Sequence, residues 1–86
     1  MKAPTTNYLE ITEANYVSGY KVRLTFNDGL VRVMDFEPFL RKARNPDITQ
    51  YRQMRKFKRF RLDYGDLMWG DYEMIFPMAD LYRGEI

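Results

Sequence analysis

The tightest constraint on this chain is the alternation that begins at Tyr20. Tyr20, Val22, Leu24 and Phe26 are apolar, and Lys21, Arg23 and Thr25 stand between them. A period of two puts the first set on one face of a half-buried strand. Asn27-Asp28-Gly29 follows, and Leu30-Val31-Arg32-Val33-Met34 resumes the apolar run. Asp-Gly between two such runs signals a hairpin, because a type I′ turn needs positive φ at both central residues. A two-residue turn at Asp28 and Gly29 pairs Asn27 with Leu30. Phe26 then faces Val31 and Leu24 faces Val33, all on one side. A three-residue loop would place Arg32 among the apolar residues instead, so the patterning selects the two-residue turn. Upstream, Leu9 and Ile11 alternate with Glu10 and Thr12, and Asn15 to Gly19 reads as a turn. The expectation is a three-stranded antiparallel meander.

Three strands with one apolar face need something to cover that face. The rest of the chain must supply it. Asp35 ends the sheet run, and Pro38 suits the first turn of a short helix with Asp35, Glu37 or both near its positive end. Asn45-Pro46 breaks that helix. Asp47 or Thr49 is placed to cap a second one, running to about Lys56 with Ile48, Tyr51 and Met54 inward. Phe60 and Leu62 then alternate with charged residues, as in a strand, and Tyr64-Gly65-Asp66 turns the chain back. Leu67-Met68-Trp69 and Met74-Ile75-Phe76 are short apolar runs separated by Gly70-Asp71. Pro77 opens a last helix that Gly84 closes. These later strands either extend the first sheet or form a second small one. The fold class is α+β: one domain over residues 1–86, with an N-terminal three-stranded antiparallel meander, two short helices, a second short β unit and a C-terminal helix. Trp69, the only Trp, is expected as a core anchor, because aromatic burial dominates a small core.

Composition excludes several chemistries. The chain has no Cys and no His. It therefore lacks a disulfide framework, a thiolate nucleophile, the usual general base and the commonest metal ligand. The longest apolar runs fall far short of a membrane span. The opening MKAPTTNYLEITE lacks the apolar stretch of a signal peptide. A cytoplasmic, bacterial-type protein with no membrane association is the expectation. Charge is unevenly distributed. Residues 41–61 carry nine Lys and Arg against Asp47, while residues 62–86 carry six acids against Arg83. Such segregation creates a field across the molecule or lets the two blocks neutralise each other.

The chain resembles the small bacterial family known as domain of unknown function 2442, from about Leu9 to Gly84. The first block of the likeness is KVRLTFNDGLVRVMDFEPFL, with Phe26, Asp28, Gly29, Asp35 and Leu40 at matching positions. The second comprises Phe57, Arg61, Leu62, Asp63, Gly65, Trp69, Pro77, Leu81 and Tyr82. Where many members follow the Trp with Pro-Asn-Gly and an acid, this chain reads Gly70-Asp71-Tyr72-Glu73. The resemblance implies a compact α+β domain without an established activity. Some members are fused to helix-turn-helix DNA-binding domains. Others look like partners of a second small family, domain of unknown function 4160, in pairs resembling toxin–antitoxin modules.

The functional lead is the basic segment Arg52, Arg55, Lys56, Lys58, Arg59 and Arg61, interleaved with Tyr51, Phe57 and Phe60. Basic side chains supply phosphate contacts and aromatics stack on unpaired bases. The plainer alternative turns the aromatics into the core and leaves the bases as a solvated face, partly paired with the acidic block. Asp28, Gly29, Asp35, Trp69, Pro77, Leu81 and Tyr82 are read as structural. Asp63, Asp66, Asp71 and Glu73 lack the spacing of a calcium loop. No catalytic, cofactor-binding or metal-binding residue is expected. The leading expectation is a non-enzymatic protein-interaction module, with a small partner protein encoded nearby. The alternative is a nucleic-acid-binding domain using residues 52–61, and an enzyme is the weakest of the three readings.

Overall fold

The structure, a computed structural model, describes residues 9–86. The reading of the first eight residues lies outside the described residues. Strands β1 (Ile11–Ser18), β2 (Lys21–Phe26) and β3 (Val31–Asp35) form an antiparallel meander in the order β1-β2-β3. The turn expected at Asn15–Gly19 is strand as far as Ser18, and Gly19 and Tyr20 make the turn. Ala14 pairs with Leu24 and Tyr16 with Val22. Both side chains pack against the core, and their burial carries β1 further than its polar residues suggest.

The hairpin register also corrects the expectation. Leu24 pairs with Arg32 and Thr25 with Val31, leaving three residues, 27–29, in the loop. The Phe26 amide donates to Leu30 O (2.8 Å) and the Gly29 amide to Phe26 O (2.9 Å). Only Gly29 in this loop has positive φ, at 96°. This is a type I turn closed by a left-handed Gly and a bulge. Its physical cause lies beyond the loop. Met34 and Phe36 are buried and Asp35 is exposed, so the inward positions of β3 are even-numbered. Val31 and Val33 therefore stand on the outer face, 52% and 51% exposed, and Arg32 lies on the inner one. Arg32 is half-buried, and its guanidinium lies beside Gly84, where a Cβ would meet Nη1 at 3.3 Å. There the long stem covers apolar surface while the charge reaches the end of the last helix.

Helix α1 (Glu37–Lys42) follows, with the Asp35 carboxylate accepting from the Glu37 amide at 3.0 Å. The single second helix expected as far as Lys56 is three pieces: α2 (Pro46–Thr49), a 3-10 turn (Gln50–Arg52) and α3 (Met54–Phe57). Its cap is Asn45, whose side chain accepts from the Asp47 amide. Gln53 is extended (φ −75°, ψ 120°). The break has a packing reason. On one continuous helix, residues 51 and 57 point roughly 120° apart, yet Tyr51 and Phe57 are both buried here.

The open choice about the later strands resolves as a second antiparallel sheet. It contains β4 (Arg61–Asp63), β5 (Asp66–Trp69) and β6 (Met74–Phe76), in the order β4-β5-β6. Tyr64 and Gly65, both at positive φ (52° and 87°), form the tight turn between β4 and β5. The Ile11 amide donates to Gly65 O at 3.2 Å and ties the two sheets together. Helix α4 (Met78–Arg83) starts after Pro77 and ends at Gly84. The Asp66 carboxylate accepts from the Met78 amide at 2.9 Å and closes its first turn.

Trp69 is fully buried where these layers meet. Its indole N–H donates to Phe57 O at 2.7 Å. Phe36, Phe57, Phe60 and Phe76 surround it, with ring centroids 5.3, 5.4, 5.9 and 5.9 Å away. Helix α3, the segment after β3 and the second sheet thus cover one another through aromatic rings. No helix among the described residues is long and apolar enough to cross a membrane.

Candidate functional site: a strand edge and a basic cleft

Among the described residues, no strand pairs with the outer edge of β3. Phe26 with Leu30, and Tyr20 with Phe36, are hydrogen-bonded cross-strand pairs. Bonded and non-bonded pairs alternate along an antiparallel ladder. Leu24–Arg32 and Val22–Met34 are therefore bonded, while Thr25–Val31, Arg23–Val33 and Lys21–Asp35 are not. The N–H and C=O groups of Val31, Val33 and Asp35 consequently point away from β2. Among the described residues, no hydrogen bond outside the ladder meets the backbone groups of Val31 or Val33. The exposed Val31 and Val33 side chains flank this row, with Arg23 and Thr25 behind them on the same face. Sequence reasoning missed this surface because it placed both valines inside. The signal that finds it is the Met34-Asp35-Phe36 alternation.

The six basic residues of the segment have different surroundings. Arg52 donates through Nε to Leu40 O (2.9 Å) and through Nη2 to Arg41 O and Ala43 O (3.2 and 3.0 Å), closing the C-terminal end of α1. Lys58 places Nζ 4.7 Å from the centre of the Tyr16 ring, a cation–π contact. Arg55 is exposed. The remaining three, Lys56, Arg59 and Arg61, converge with Gln50, Tyr51 and Gly70 around a cleft of about 230 Å³. The interleaved aromatics turn inward: Tyr51 and Phe57 are buried, and Phe60 packs edge-on to Trp69. The ion pairs among the described residues are Arg41–Glu37, Arg83–Asp80 and Arg83–Glu85. None joins the basic segment to the acidic block, so the two are not neutralised by direct contact.

A polar chain runs along the wall of the cleft to Glu73, which is exposed. The Tyr51 hydroxyl donates to Glu73 Oε1 at 2.5 Å, and Gln50 Nε2 donates to the same oxygen at 3.1 Å. Gln50 Oε1 accepts from Lys56 Nζ at 3.3 Å. Burial, reinforced by the Glu73 carboxylate, pushes the Tyr51 hydroxyl up to about 12. Gly70, at φ 69°, makes room for both groups: a Cβ there would stand 2.3 Å from Glu73 Oε1 and 2.4 Å from the Tyr51 hydroxyl.

The residues of the family pattern occupy joints. Asp28 accepts from the Leu30 amide at 2.9 Å and from the Tyr82 hydroxyl at 2.6 Å. Tyr82 also sets its ring edge-on to Phe26 at 5.0 Å. Its hydrogen bond holds the Asp28 carboxyl below the usual value, and the carboxylate in turn raises the Tyr82 hydroxyl. Leu81 is fully buried. The acids of the C-terminal block are dispersed. Asp63 accepts from the Tyr72 hydroxyl, Asp66 from the Met78 amide and Glu73 from Tyr51. Among the described residues, no three acids gather closely enough to hold a metal ion.

With this geometry in hand, comparison with known proteins gives one family. The family model described as "Protein of unknown function (DUF2442)" matches residues 11–86. No curated protein and no solved structure matches the chain.

Proposed function

The chain belongs to the DUF2442 family, and from that premise we infer a non-enzymatic protein-interaction module that takes a strand of its partner onto β3. The observation that carries this reading is the outer edge of β3, where no described residue pairs with the backbone groups of Val31 and Val33 and their side chains are more than half exposed. A row of unmet N–H and C=O groups is a template for another strand. In strand addition the main chain supplies affinity, and alternate side chains supply specificity. The absence of His and Cys from the sequence leaves few groups suited to acid–base or nucleophilic chemistry. The partner we propose is a small protein encoded beside this one, with this chain as the antitoxin-like half of the pair. A domain of unknown function 4160 type protein is the candidate that the resemblance implies.

Co-expression with the neighbouring small gene tests this. The expected result is a stable complex that Val33→Pro abolishes. The Val33 N–H faces outward, so proline removes no ladder bond while blocking the edge. A monodisperse monomer that ignores its neighbour, or a complex indifferent to Val33→Pro in a folded protein, overturns the reading.

A nucleic-acid reading draws on Arg55, Lys56, Lys58, Arg59 and Arg61. It rests on charge rather than stacking, because Tyr51 and Phe57 are buried. It predicts affinity that falls steeply with salt and is lost when Arg55, Lys56 and Arg59 are changed to Glu.

A further inference from the structure

We propose that the cleft between the 3-10 turn, α3 and β4 is a binding site for a phosphate-type oxyanion. Three side chains converge on it from different parts of the fold. Lys56 comes from α3, Arg59 from the turn after it and Arg61 from the start of β4. None of the three is in an ion pair with another described residue. Glu73, the exposed acid beside the cleft, is already engaged by the Tyr51 hydroxyl and the Gln50 amide. The cationic groups therefore keep their hydrogen-bonding capacity for a ligand. Lys56 is half-buried, and its ammonium is held by Gln50 Oε1, which fixes one charge of the three in advance. Arg forks match the oxygens of a phosphate, and charge-assisted bonds of this kind are the strong ones.

The size of the cleft narrows the ligand class. About 230 Å³ is below the roughly 300–1,000 Å³ typical of sites that enclose drug-sized molecules. The walls are polar or cationic, apart from the ring of Tyr51. A free phosphate or the terminal phosphoryl group of a monoester fits this description. A base or a sugar has no apolar wall here to rest on. Gly70 is part of the same device. Any larger residue would drive Tyr51 and Glu73 apart and release the Glu73 carboxylate toward the cations.

The test is a titration of the whole chain with inorganic phosphate at constant ionic strength, followed by amide NMR shifts, with chloride as the control. The expected result is saturable movement of the Gly70 and Arg61 amides. Arg59→Gln combined with Arg61→Gln should weaken binding at least roughly tenfold, while Arg55→Gln, outside the cleft, changes nothing. A second arm compares a nucleoside 5′-monophosphate with inorganic phosphate. A monophosphate that binds more tightly than phosphate assigns a monoester as the source, and equal affinities assign free phosphate. The proposal is overturned if no saturation appears up to about 20 mM, roughly twentyfold above a millimolar dissociation constant. It is overturned equally if Arg55→Gln weakens binding as much as the double variant, since that marks a diffuse charged face.

Discussion

Trp69 shows how much one side chain settles. Its rings fill the junction of the layers, and its N–H satisfies the buried carbonyl of Phe57. Trp69→Phe keeps an aromatic ring but leaves that carbonyl without a partner. We expect a loss of about 2–3 kcal/mol, combining the unmet acceptor with a modest void, measured as a lower urea midpoint with an unchanged slope. Tyr51 gives a second residue-level prediction, in alkali. Its folded-state value is raised to about 12, against about 10 in an unfolded chain. The stability it contributes is therefore complete below pH 10 and is lost as pH rises through about 12. Tyr51→Phe should flatten this alkaline limb and cost about 1 kcal/mol at neutral pH through the missing bond to Glu73. Tyrosinate absorbance titration of the two proteins checks the assignment, because the variant lacks the hydroxyl raised to about 12.

At the scale of elements, the register of β3 decides what faces a partner. Val33→Lys should leave stability within about 0.5 kcal/mol, as surface changes usually do. Met34→Lys should unfold the protein or cost several kcal/mol, because it buries an unpaired charge. The opposite pattern would restore the two-residue turn. The order of the elements was legible in the sequence because its signals are local: alternation in β2, Asn45-Pro46 between helices, Tyr64-Gly65 between β4 and β5, and Pro77 and Gly84 around α4. The register was not, because an Asp-Gly hairpin has two solutions one residue apart, and a shift of one exchanges the faces. The deciding information sat in Met34 and Phe36, past the hairpin itself. The single helix read through Lys56 failed for a similar reason. Its break at Gln53 serves the burial of Tyr51 and Phe57, a tertiary demand that no local propensity expresses. The basic block was equally visible as charge, yet its division into a helix closure, a ring contact and a cleft depends on Leu40, Tyr16 and Gly70, which are distant in sequence.

At the scale of the molecule, the question is whether two three-stranded sheets behave as one cooperative unit. Neither is large enough to be stable without cover. Hydrogen bonds tie the sheets and the helices between them into one body. Ile11 reaches Gly65 between the sheets, Trp69 in the second sheet reaches Phe57 on α3, and Tyr82 on α4 reaches Asp28 in the β2–β3 hairpin across 54 residues. The last of these makes the coupling pH-dependent. The Asp28 carboxyl titrates lower in the folded chain than in the unfolded one. Its contribution is thus present above its ordinary value of about 3.9 and is lost as pH falls through the lower folded one. Asp28→Asn should make the acid limb of the stability profile shallower in that window. Because the aromatic core is shared, Trp69 fluorescence reports the second sheet while far-ultraviolet circular dichroism reports both. The two signals should follow a single coincident transition in urea, as a two-state domain requires. Asp28→Asn combined with Tyr82→Phe should shift that transition to lower urea without splitting it, since the indole junction still joins the layers. Separate fluorescence and dichroism midpoints in the unmodified chain would mean that each sheet unfolds alone, and that the aromatic junction at Trp69 does not couple them.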